Sequence, residues 1–386
     1  MRIGVKSILL KNCFLIDGTG KEENNLVSIG IKDGKIESIF YDDISLQDDT
    51  YDRVIDLLGQ SILPGFINTH VHSGFKHLQG APLRSFHEEY LRACIYDGIT
   101  TIRDEGMFID NSIEDVVEEK KIFDNLGQYP RIITTGKFFS APGGYGGMKP
   151  ICVSSEKEAR EKVNEILDKG IDMIKTVLED GLDPSTFGLP KLSEELLTAI
   201  CDEAHKRNVK VSAHVTQSHN LKKLVDAGIN DAAHMVYDDL SDELMMQMIE
   251  KAIYIIPTLT VLRMITDKYG APVLEQGKKN VLRFVQMGGK IGFGDDFIEE
   301  EQPWYRLGMP TMELHLLKEA GLTNMQIIVA ATKNGAEICG IDREVGTIEP
   351  GKKADLLIVE GNPLQDIDCI RNVKMVMKEG AIIVEN

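Results

Sequence analysis

The sequence lacks most features of secreted, membrane-spanning and nucleic-acid-binding proteins. Its six cysteines, at positions 13, 94, 152, 201, 339 and 369, are widely scattered and include no CxxC pair. We therefore expect no disulfide framework and a reduced, cytoplasmic compartment. No stretch approaches the ~18 consecutive apolar residues of a membrane span. The apolar runs near the first residue are too short for a signal peptide, so we expect a strand there.

Basic residues are also fewer than acidic residues. The 386 residues include 43 Lys and Arg against 61 Asp and Glu, which gives a net charge of −18. Proteins that bind nucleic acid without regard to its sequence need a basic surface, so this balance argues against that class. It says little about small substrates, because one local cationic centre can outweigh a distant surface charge. We expect a small-molecule substrate, with no nucleic-acid or membrane partner.

The remaining composition is that of a folded globular protein. Hydrophobic residues make up 42% of the chain and charged residues 27%, a balance that disordered chains do not have. Length alone allows two or three domains, although one α/β barrel can take ~250 residues.

Both ends of the chain carry short alternating apolar runs separated by turn signals. Asp17-Gly18 and Asp33-Gly34 interrupt the runs near the start, and Asp-Gly between such runs is a strong hairpin signal. The predicted strands span 7–16, 27–32, 35–40, 355–359, 373–378 and 381–384. We predict a small β-sandwich domain built from residues 1–61 and 346–386.

The middle of the chain alternates apolar strands with amphipathic helices, the pattern of repeated βα units. The predicted strands span 66–72, 100–105, 131–137, 173–179, 210–215, 231–236, 254–260 and 290–296. The predicted helices span about 87–97, 112–126, 155–169, 193–207, 218–227, 240–252, 273–288 and 310–334. Ser193 and Ser241 precede acidic residues and are expected helix N-caps. This order predicts a TIM (β/α)8 barrel over residues 62–345, with a doubly wound open sheet as the alternative.

Histidines and carboxylates lie at the ends of four predicted barrel strands, where TIM barrels build active sites. His70 and His72 are two residues apart on one strand, so both imidazoles face the same side. His214, His234 and the pair Asp295-Asp296 end three later strands. Each alone can be explained as a core histidine, polar surface or a turn. Together they indicate a site for zinc or another divalent transition metal.

Lys175 lies within a strongly apolar predicted strand, where an unpaired charge is costly. Burial favours the neutral amine, and a neutral amine can add carbon dioxide to form a carbamate. That product is a carboxylate on a long arm, able to bridge two metal ions. The alternative is that Lys175 extends its amine to the surface or pairs with Glu179 or Asp180.

These positions resemble the metal ligands of the amidohydrolase superfamily. The segment 65–72, which ends in His70-Val71-His72, is followed in the family's order by Lys175, His214, His234 and Asp296. The likeness covers nearly the whole chain, including the strand 100–104 and the tail 346–356. The sequence is most similar to the imidazolonepropionase-like and Xaa-Pro dipeptidase (prolidase-like) branch.

The resemblance implies a centre with two divalent metal ions, with zinc as the expected metal. The implied ligands are His70, His72 and Asp296 for one ion, His214 and His234 for the other, and carbamylated Lys175 between them. The family's Gly-Thr-Asp or Gly-Ser-Asp aligns with Gly294-Asp295-Asp296, so Asp295 replaces a hydroxyl residue and is the neighbouring alternative ligand. A hydroxide between the ions would attack the carbonyl, and Asp296 would pass its proton to the leaving nitrogen.

Specificity is expected from the loops that follow the strands. The loop 140–149 is glycine-rich but lacks the Gly-Lys-Ser/Thr ending of a phosphate-binding loop, so we predict that it covers the substrate; a plain surface loop is the alternative. Relatives often carry a histidine where this loop has Tyr145. The candidate substrate contacts are Tyr145, Gln217, His219 and Tyr237, with His77, Arg84 and Arg263 for a substrate carboxylate. Each of them apart from Tyr145 could equally be structural. His87, His205 and His315 fall on predicted helices and receive no role.

The sequence therefore predicts a metal-dependent amidohydrolase that cleaves an amide, peptide or cyclic amide bond of a small metabolite or dipeptide. A lactonase, or a hydrolase of imidazolones or cyclic imides, would use the same centre. A non-catalytic binding or assembly protein is the alternative from another class, although it would not need such a ligand set. Barrels of this kind often pair, so a homo-oligomer is an open option.

Overall fold

The computed structural model describes residues 6–21, 26–41, 48–74, 85–106, 111–146, 149–181, 186–296 and 302–386. Strands occupy both ends of the chain and alternate with helices through its middle. The strands are β1 (Ser7–Leu15), β2 (Leu26–Lys32), β3 (Lys35–Phe40), β4 (Arg53–Asp56), β5 (Ser61–Pro64), β6 (Phe66–Val71), β7 (Ile99–Asp104), β8 (Arg131–Thr134), β9 (Phe138–Ser140), β10 (Ile151–Cys152), β11 (Ile174–Val177), β12 (Val211–His214), β13 (Asp231–Ala233), β14 (Tyr254–Ile256), β15 (Leu356–Val359), β16 (Val373–Lys378) and β17 (Ala381–Glu385).

Seven of the helices follow predicted amphipathic segments closely, whereas the predicted helix 310–334 is divided into shorter elements. The helices are α1 (Glu88–Tyr96), α2 (Ile113–Leu126), α3 (Glu156–Asp168), α4 (Glu194–Lys206), α5 (Ser218–Ala227), α6 (Asp242–Glu250), α7 (Leu259–Tyr269), α8 (Val273–Gln286), α9 (Thr311–Glu319), α10 (Asn324–Val329) and α11 (Gly335–Cys339), with a π-helical turn (Ala330–Asn334) between the last two. The predicted caps are confirmed: the Ser193 hydroxyl accepts from Leu196 N, and the Ser241 hydroxyl accepts from Leu244 N.

Strands from the two ends of the chain form one eight-stranded sheet, ordered β17-β16-β15-β5-β1-β2-β3 with β4 paired to β1. The ends meet where β15 runs antiparallel to β5, with Leu356 opposite Pro64. β1 carries a bulge between Leu10 and Cys13, and its two halves pair in parallel with β4 and then β5. The predicted sandwich is therefore one hydrogen-bonded sheet, because β1 joins both sets of strands.

This sheet has a hydrophobic core of its own. Ile8 and Ile29 from the first part of the chain pack in one buried cluster with Ile358 and Met377 from the last part. The two ends of the chain therefore share one core.

The central strands are parallel and form two ladders. β6, β7 and β8 make a three-stranded sheet, and a six-stranded sheet has the order β10-β9-β11-β12-β13-β14. At one junction, Asp172 N and Met173 N both donate to Thr134 O, at the end of β8. Within the described ranges, no single continuous ladder closes these strands into a ring.

The predicted eighth barrel strand is reduced to two isolated bridges, Ile255 with Ile291 and Val71 with Asp296. Its glycines account for the difference. A Cβ on Gly294 would lie 2.8 Å from the Cβ of His70, so glycine allows this segment to approach β6 closely. Glycine within a strand also weakens regular pairing.

The predicted seventh strand, 254–260, is shorter than its apolar pattern suggested. β14 ends at Ile256 and helix α7, which was not predicted, begins at Leu259. Pro257 has no backbone N–H for the ladder, and Thr258 adopts a left-handed conformation with φ 41°. These two residues end the strand early.

Two further expectations can be compared with the structure. All six cysteines are free thiols, as their scattered positions predicted. Among the residues that the structure describes, no helix combines the length and apolar character needed to cross a membrane. The cytoplasmic location stays a prediction.

Candidate metal centre

The centre is built where β6 and the glycine-containing segment 291–296 run side by side. Asp296 N donates to the backbone oxygen of His70 at 2.9 Å, which fixes these two residues next to each other. His70 Nε2 lies 3.1 Å from Asp296 Oδ1, and His72 Nε2 lies 3.2 Å from the same oxygen. Two imidazoles therefore converge on one carboxylate oxygen.

The ends of β12 and β13 bring two more histidines to the same place. His214 Nδ1 lies 2.9 Å from His234 Nε2, which in turn lies 3.9 Å from Asp296 Oδ2. One donor atom each from His70, His234 and Asp296 fall within 4.8 Å of one another. The structure thus joins five of the six predicted ligands in one connected cluster.

Hydrogen bonds from outside the cluster orient three of the four rings. His72 Nδ1 contacts Gly106 O at 2.7 Å, and His234 Nδ1 contacts Thr258 Oγ1 at 2.6 Å. His214 instead uses Nε2, which lies 3.1 Å from Glu179 Oε2. In each ring the other nitrogen faces the cluster, the arrangement that metal-binding histidines usually have.

The backbone of the centre is strained at two ligands. His234 has φ 80° and Asp296 has φ 65°, and Thr258, which contacts the His234 ring, has φ 41°. Residues other than glycine rarely adopt this left-handed region, at a cost of about 1–3 kcal/mol each. Such strain concentrates at functional sites, and local sequence patterns did not reveal it.

The charge state of the cluster suits a cation. Burial, and after it the nearby positive charge of Lys175, lowers the pKa of His70 to about 3. Burial also lowers the pKa of His234 well below its usual value. Burial disfavours the ionised form of Asp296, but the neighbouring histidines outweigh it and hold its pKa well below the usual range. At His70 and His234 the neutral imidazole is therefore favoured, which is the form in which histidine binds divalent metals. At His72 burial opposes protonation, but the hydrogen bond to Asp296 and the nearby negative charges together outweigh burial and raise the pKa.

Lys175 lies within β11, opposite Ser212 of β12, and contacts a different group. Its amine forms a buried ion pair with Glu105, whose Oε2 also accepts from Ser212 Oγ at 3.0 Å. The alternative partners considered from the sequence are engaged elsewhere: Glu179 with His214 and Asp180 with Lys191. The signal for Glu105 was its place at the end of the predicted strand 100–105, facing the same side as Arg103.

Glu179 is a second buried carboxylate, which sequence reasoning considered only as a partner of Lys175. Besides His214, it accepts hydrogen bonds from Thr216 Oγ1 at 2.8 Å, Gln217 Nε2 at 2.5 Å and Gly181 N at 2.9 Å. Burial opposes its ionisation, yet these partners outweigh burial and lower its pKa to about 2. Glu179 is therefore the charged support of His214.

The neighbouring carboxylate Asp295 turns away from the histidines. Asn68 Nδ2 donates to Asp295 Oδ1 at 2.8 Å, in a buried position. Burial raises the pKa of Asp295 to about 7, and the charge of Asp296 adds to this rise. The cluster is thus organised around Asp296 rather than Asp295.

The candidate substrate residues are distributed unevenly around this cluster. The Tyr145 ring stacks on His214, with 4.7 Å between ring centroids. Gln217 Nε2 donates to the Tyr237 hydroxyl at 2.9 Å, and so joins it to Glu179. These three side chains therefore border the His214 half of the centre.

The remaining candidates are farther out or outside the described ranges. His219 is exposed, with Nε2 at 2.7 Å from Asp180 Oδ2. Arg263 is paired within its own helix, to Asp267 at 2.8 Å. His77 and Arg84 lie within 75–84, which is not among the described residues.

Comparison with known sequences finds one matching family profile and similar hydrolases. The sequence profile described as "Amidohydrolase family" matches residues 61–383. Imidazolonepropionase of Clostridium tetani is 23% identical over 423 aligned residues, covering 94% of this chain and 93% of that protein. Ochratoxinase of Aspergillus niger is 28% identical over 248 residues, covering 60% of this chain. This alignment spans only 50% of the ochratoxinase sequence, so the chain matches about half the length of that curated relative.

Comparison with solved structures establishes the architecture. A Xaa-Pro dipeptidase with methionine bound in its active site has a TM-score of 0.82 at 25% identity, covering 98% of this chain and 100% of that one. A. niger ochratoxinase also has a TM-score of 0.82, at 22% identity over 99% of this chain. The fold is therefore of the TIM-barrel type with an additional domain. Since the family profile runs from β5 to β17 and spans every residue of the histidine cluster, this chain belongs to the amidohydrolase family.

Proposed function

We propose that the chain is a metal-dependent hydrolase that cleaves a C–N bond in a small amide, cyclic amide or dipeptide. The observation that carries the proposal is the convergence of His70, His234 and Asp296, whose donor atoms lie within 4.8 Å of one another. The names of two relatives, Xaa-Pro dipeptidase and imidazolonepropionase, support the substrate class.

The donor set suits two divalent cations, with zinc as the proposed metal. The proposed ligands are His70, His72 and Asp296 for one cation, His214 and His234 for the other, and carbamylated Lys175 between them. When bound, such cations polarise a substrate carbonyl and lower the pKa of the attacking water.

The protein's own groups supply proton transfer and orientation. Asp296 Oδ1 faces His70 and His72, so Asp296 Oδ2 is the oxygen that takes a proton from the attacking water. It then delivers that proton to the leaving nitrogen, as a general base followed by a general acid. The stacked ring of Tyr145 covers His214 and excludes water from that side. The Tyr237 hydroxyl, held by Gln217, is placed to orient the substrate.

The test is a substrate screen of zinc-reconstituted protein, with Asp296→Asn as the inactive control. The panel holds Xaa-Pro and other dipeptides, N-acyl amino acids, hydantoin-like rings and lactones. We expect turnover of at least one C–N substrate that disappears in the variant. Turnover of lactones alone would assign the ester-cleaving alternative. Cation binding without turnover of any compound would favour a binding protein.

A further inference from the structure

Helix α7 begins beside the centre, and Thr258 is the residue directly before its first turn. Thr258 adopts φ 41°, and its hydroxyl contacts His234 Nδ1 at 2.6 Å. Threonine at such a position usually caps its own helix, by accepting from a backbone N–H two or three residues later. Among the residues that the structure describes, the Thr258 hydroxyl makes no such bond to α7. Its oxygen is used on the histidine ring instead.

The start of α7 is capped by a residue from another helix, Glu313 of α9. Glu313 Oε1 accepts from Leu259 N and Glu313 Oε2 accepts from Thr260 N, each at 2.9 Å. Val261 N donates to Thr258 O at 2.9 Å. The first backbone N–H groups of a helix have no partner within the helix itself, and these bonds supply one for each of the first three residues.

Glu313 lies where a carboxylate is costly. It is 0% exposed, and a buried carboxylate is tolerated only when it is paired or hydrogen-bonded. The two N–H groups lie at the positive end of the α7 dipole and provide that compensation. Neither the proposed proton transfer nor the proposed cation ligands use this residue. Capping α7 is therefore the contact that explains its burial.

The two contacts form one connection from α9 to the centre. A residue that caps its own helix has an extended backbone, whereas the left-handed backbone of Thr258 accompanies a hydroxyl that contacts His234. Residues other than glycine keep this conformation only when the surrounding structure imposes it. Glu313 holds the two residues that follow Thr258, and β14 holds the chain up to Ile256 before it.

We propose that Glu313 is a positioning residue for His234: it caps α7 in place of Thr258, and so keeps the Thr258 hydroxyl on His234 Nδ1. The inference rests on the proposed function and adds a residue that sets how tightly the centre holds its cations. Without this carboxylate, the Thr258 hydroxyl returns to the start of α7 and the His234 ring loses its fixed orientation. Loss of such an outer partner lowers metal affinity about 10- to 100-fold.

The experiment is a double-mutant cycle on the full chain, because residues that act through one another have non-additive effects. Glu313→Gln keeps the shape but has one acceptor oxygen for two N–H donors, and Thr258→Val keeps the shape but has no hydroxyl. Zinc affinity is measured by competition with a chelating dye. Each single variant should lower it at least about tenfold, and the double variant should bind zinc no more weakly than Thr258→Val. The melting temperature should fall on Glu313→Gln in both backgrounds, because the cap is lost in both.

Nitrogen NMR of labelled histidine in cation-free protein gives a readout that does not depend on zinc. The Nδ1 signal of His234, identified by its absence in His234→Ala, reports the contact with Thr258. It should shift in Glu313→Gln towards its position in Thr258→Val. Ser155→Ala is the matched control, since it removes the cap of α3. It should lower the melting temperature and leave both the zinc affinity and the Nδ1 signal unchanged.

The outcomes separate the possible failures. An unchanged zinc affinity in Glu313→Gln would show that Glu313 only caps α7. A full loss of affinity in both backgrounds, or an unshifted Nδ1 signal, would show that it does not act through Thr258. If wild type binds no zinc, the proposed function fails, while the Nδ1 signal still tests the connection to His234. Glu313→Asp, which draws the carboxylate back by one methylene, replaces Glu313→Gln if melting curves show that the latter does not fold.

Discussion

The centre has two halves that are built differently. In the Asp296 half, His70 and His72 contact the carboxylate directly, at 3.1 and 3.2 Å. In the other half, Lys175 and His214 are each held first by a buried glutamate, Glu105 and Glu179 respectively. In the Asp296 half the proposed ligands contact one another. In the other half Lys175 and His214 each contact a buried glutamate.

The two halves differ in how the charges of their ligands are compensated. Two imidazoles share one carboxylate in the Asp296 half, so its charge is already suited to a cation. The other half contains a lysine, and a lysine needs a negative partner to be buried. We therefore expect substitutions in the Asp296 half to abolish cation binding, and substitutions of Glu105 or Glu179 to change its affinity.

The most damaging change is expected to be Asp296→Asn. It removes both the charge that attracts the cation and the proposed proton acceptor, so turnover should fall about 100- to 10,000-fold. Zinc content, measured on the purified protein, should fall with it. Asp295→Asn is the matched control and should retain zinc, because Asp295 contacts Asn68 instead of the histidines. If only the Asp295 variant lost zinc, the ligand would be Asp295 rather than Asp296.

His214→Ala should have the next largest effect. It removes a proposed ligand, so turnover should fall by more than the about 10- to 100-fold that loss of an outer partner costs. His205→Ala is the comparison, since His205 is exposed and contacts Asn230 at 2.9 Å. Steady-state rates of the two variants measure the difference. Equal rates would show that the strand ends are assigned wrongly.

Glu179→Gln should weaken the His214 half without abolishing it. His214 and Thr216 contact Oε2 of Glu179, whereas Gln217 and Gly181 donate to Oε1. The amide keeps the shape but has one acceptor oxygen in place of two, so zinc affinity should fall about 10- to 100-fold. Competition with a chelating dye measures this affinity. An unchanged affinity would mean that His214 needs no charged support.

The same substitution should change the acid stability of cation-free protein. The pKa of Glu179 is lowered from 4.5 to about 2, so its ionisation stabilises the fold above pH 4.5. That contribution, about 1–3 kcal/mol for a buried acceptor, is lost as the pH falls from 4.5 towards 2, where the unfolded chain binds more protons. Urea unfolding should therefore show a wild-type advantage at pH 6 that shrinks below about pH 4.5.

The smallest effect is expected from Arg263→Ala. Arg263 and Asp267 form a half-exposed pair one helical turn apart, and such pairs contribute about 0.2–0.5 kcal/mol. Thermal melting should show this small loss, with unchanged zinc content. A rise in KM for carboxylate-bearing substrates, absent for their amide derivatives, would show that Arg263 leaves Asp267 to bind substrate.

Most of the framework could be predicted because it follows from local patterns. Alternation in strand 66–72 placed His70 and His72 on one side, and the caps at Ser193 and Ser241 marked helix starts. Local patterns gave the wrong strand bounds where glycine or proline changed the backbone. Glycines reduced the last barrel strand to bridges, and Pro257 with Thr258 ended β14 early.

The sequence by itself determined that histidines and a carboxylate would lie at the ends of parallel strands, with a lysine within another strand. Strand alternation and the βα order are local properties, so they can be read along the chain. Only the tertiary structure decided which groups those side chains contact. Glu105 meets Lys175 across 70 positions, and Glu179 meets His214 across 35. Such contacts depend on how neighbouring strands align and on the left-handed backbone at His234 and Asp296, neither of which has a local pattern.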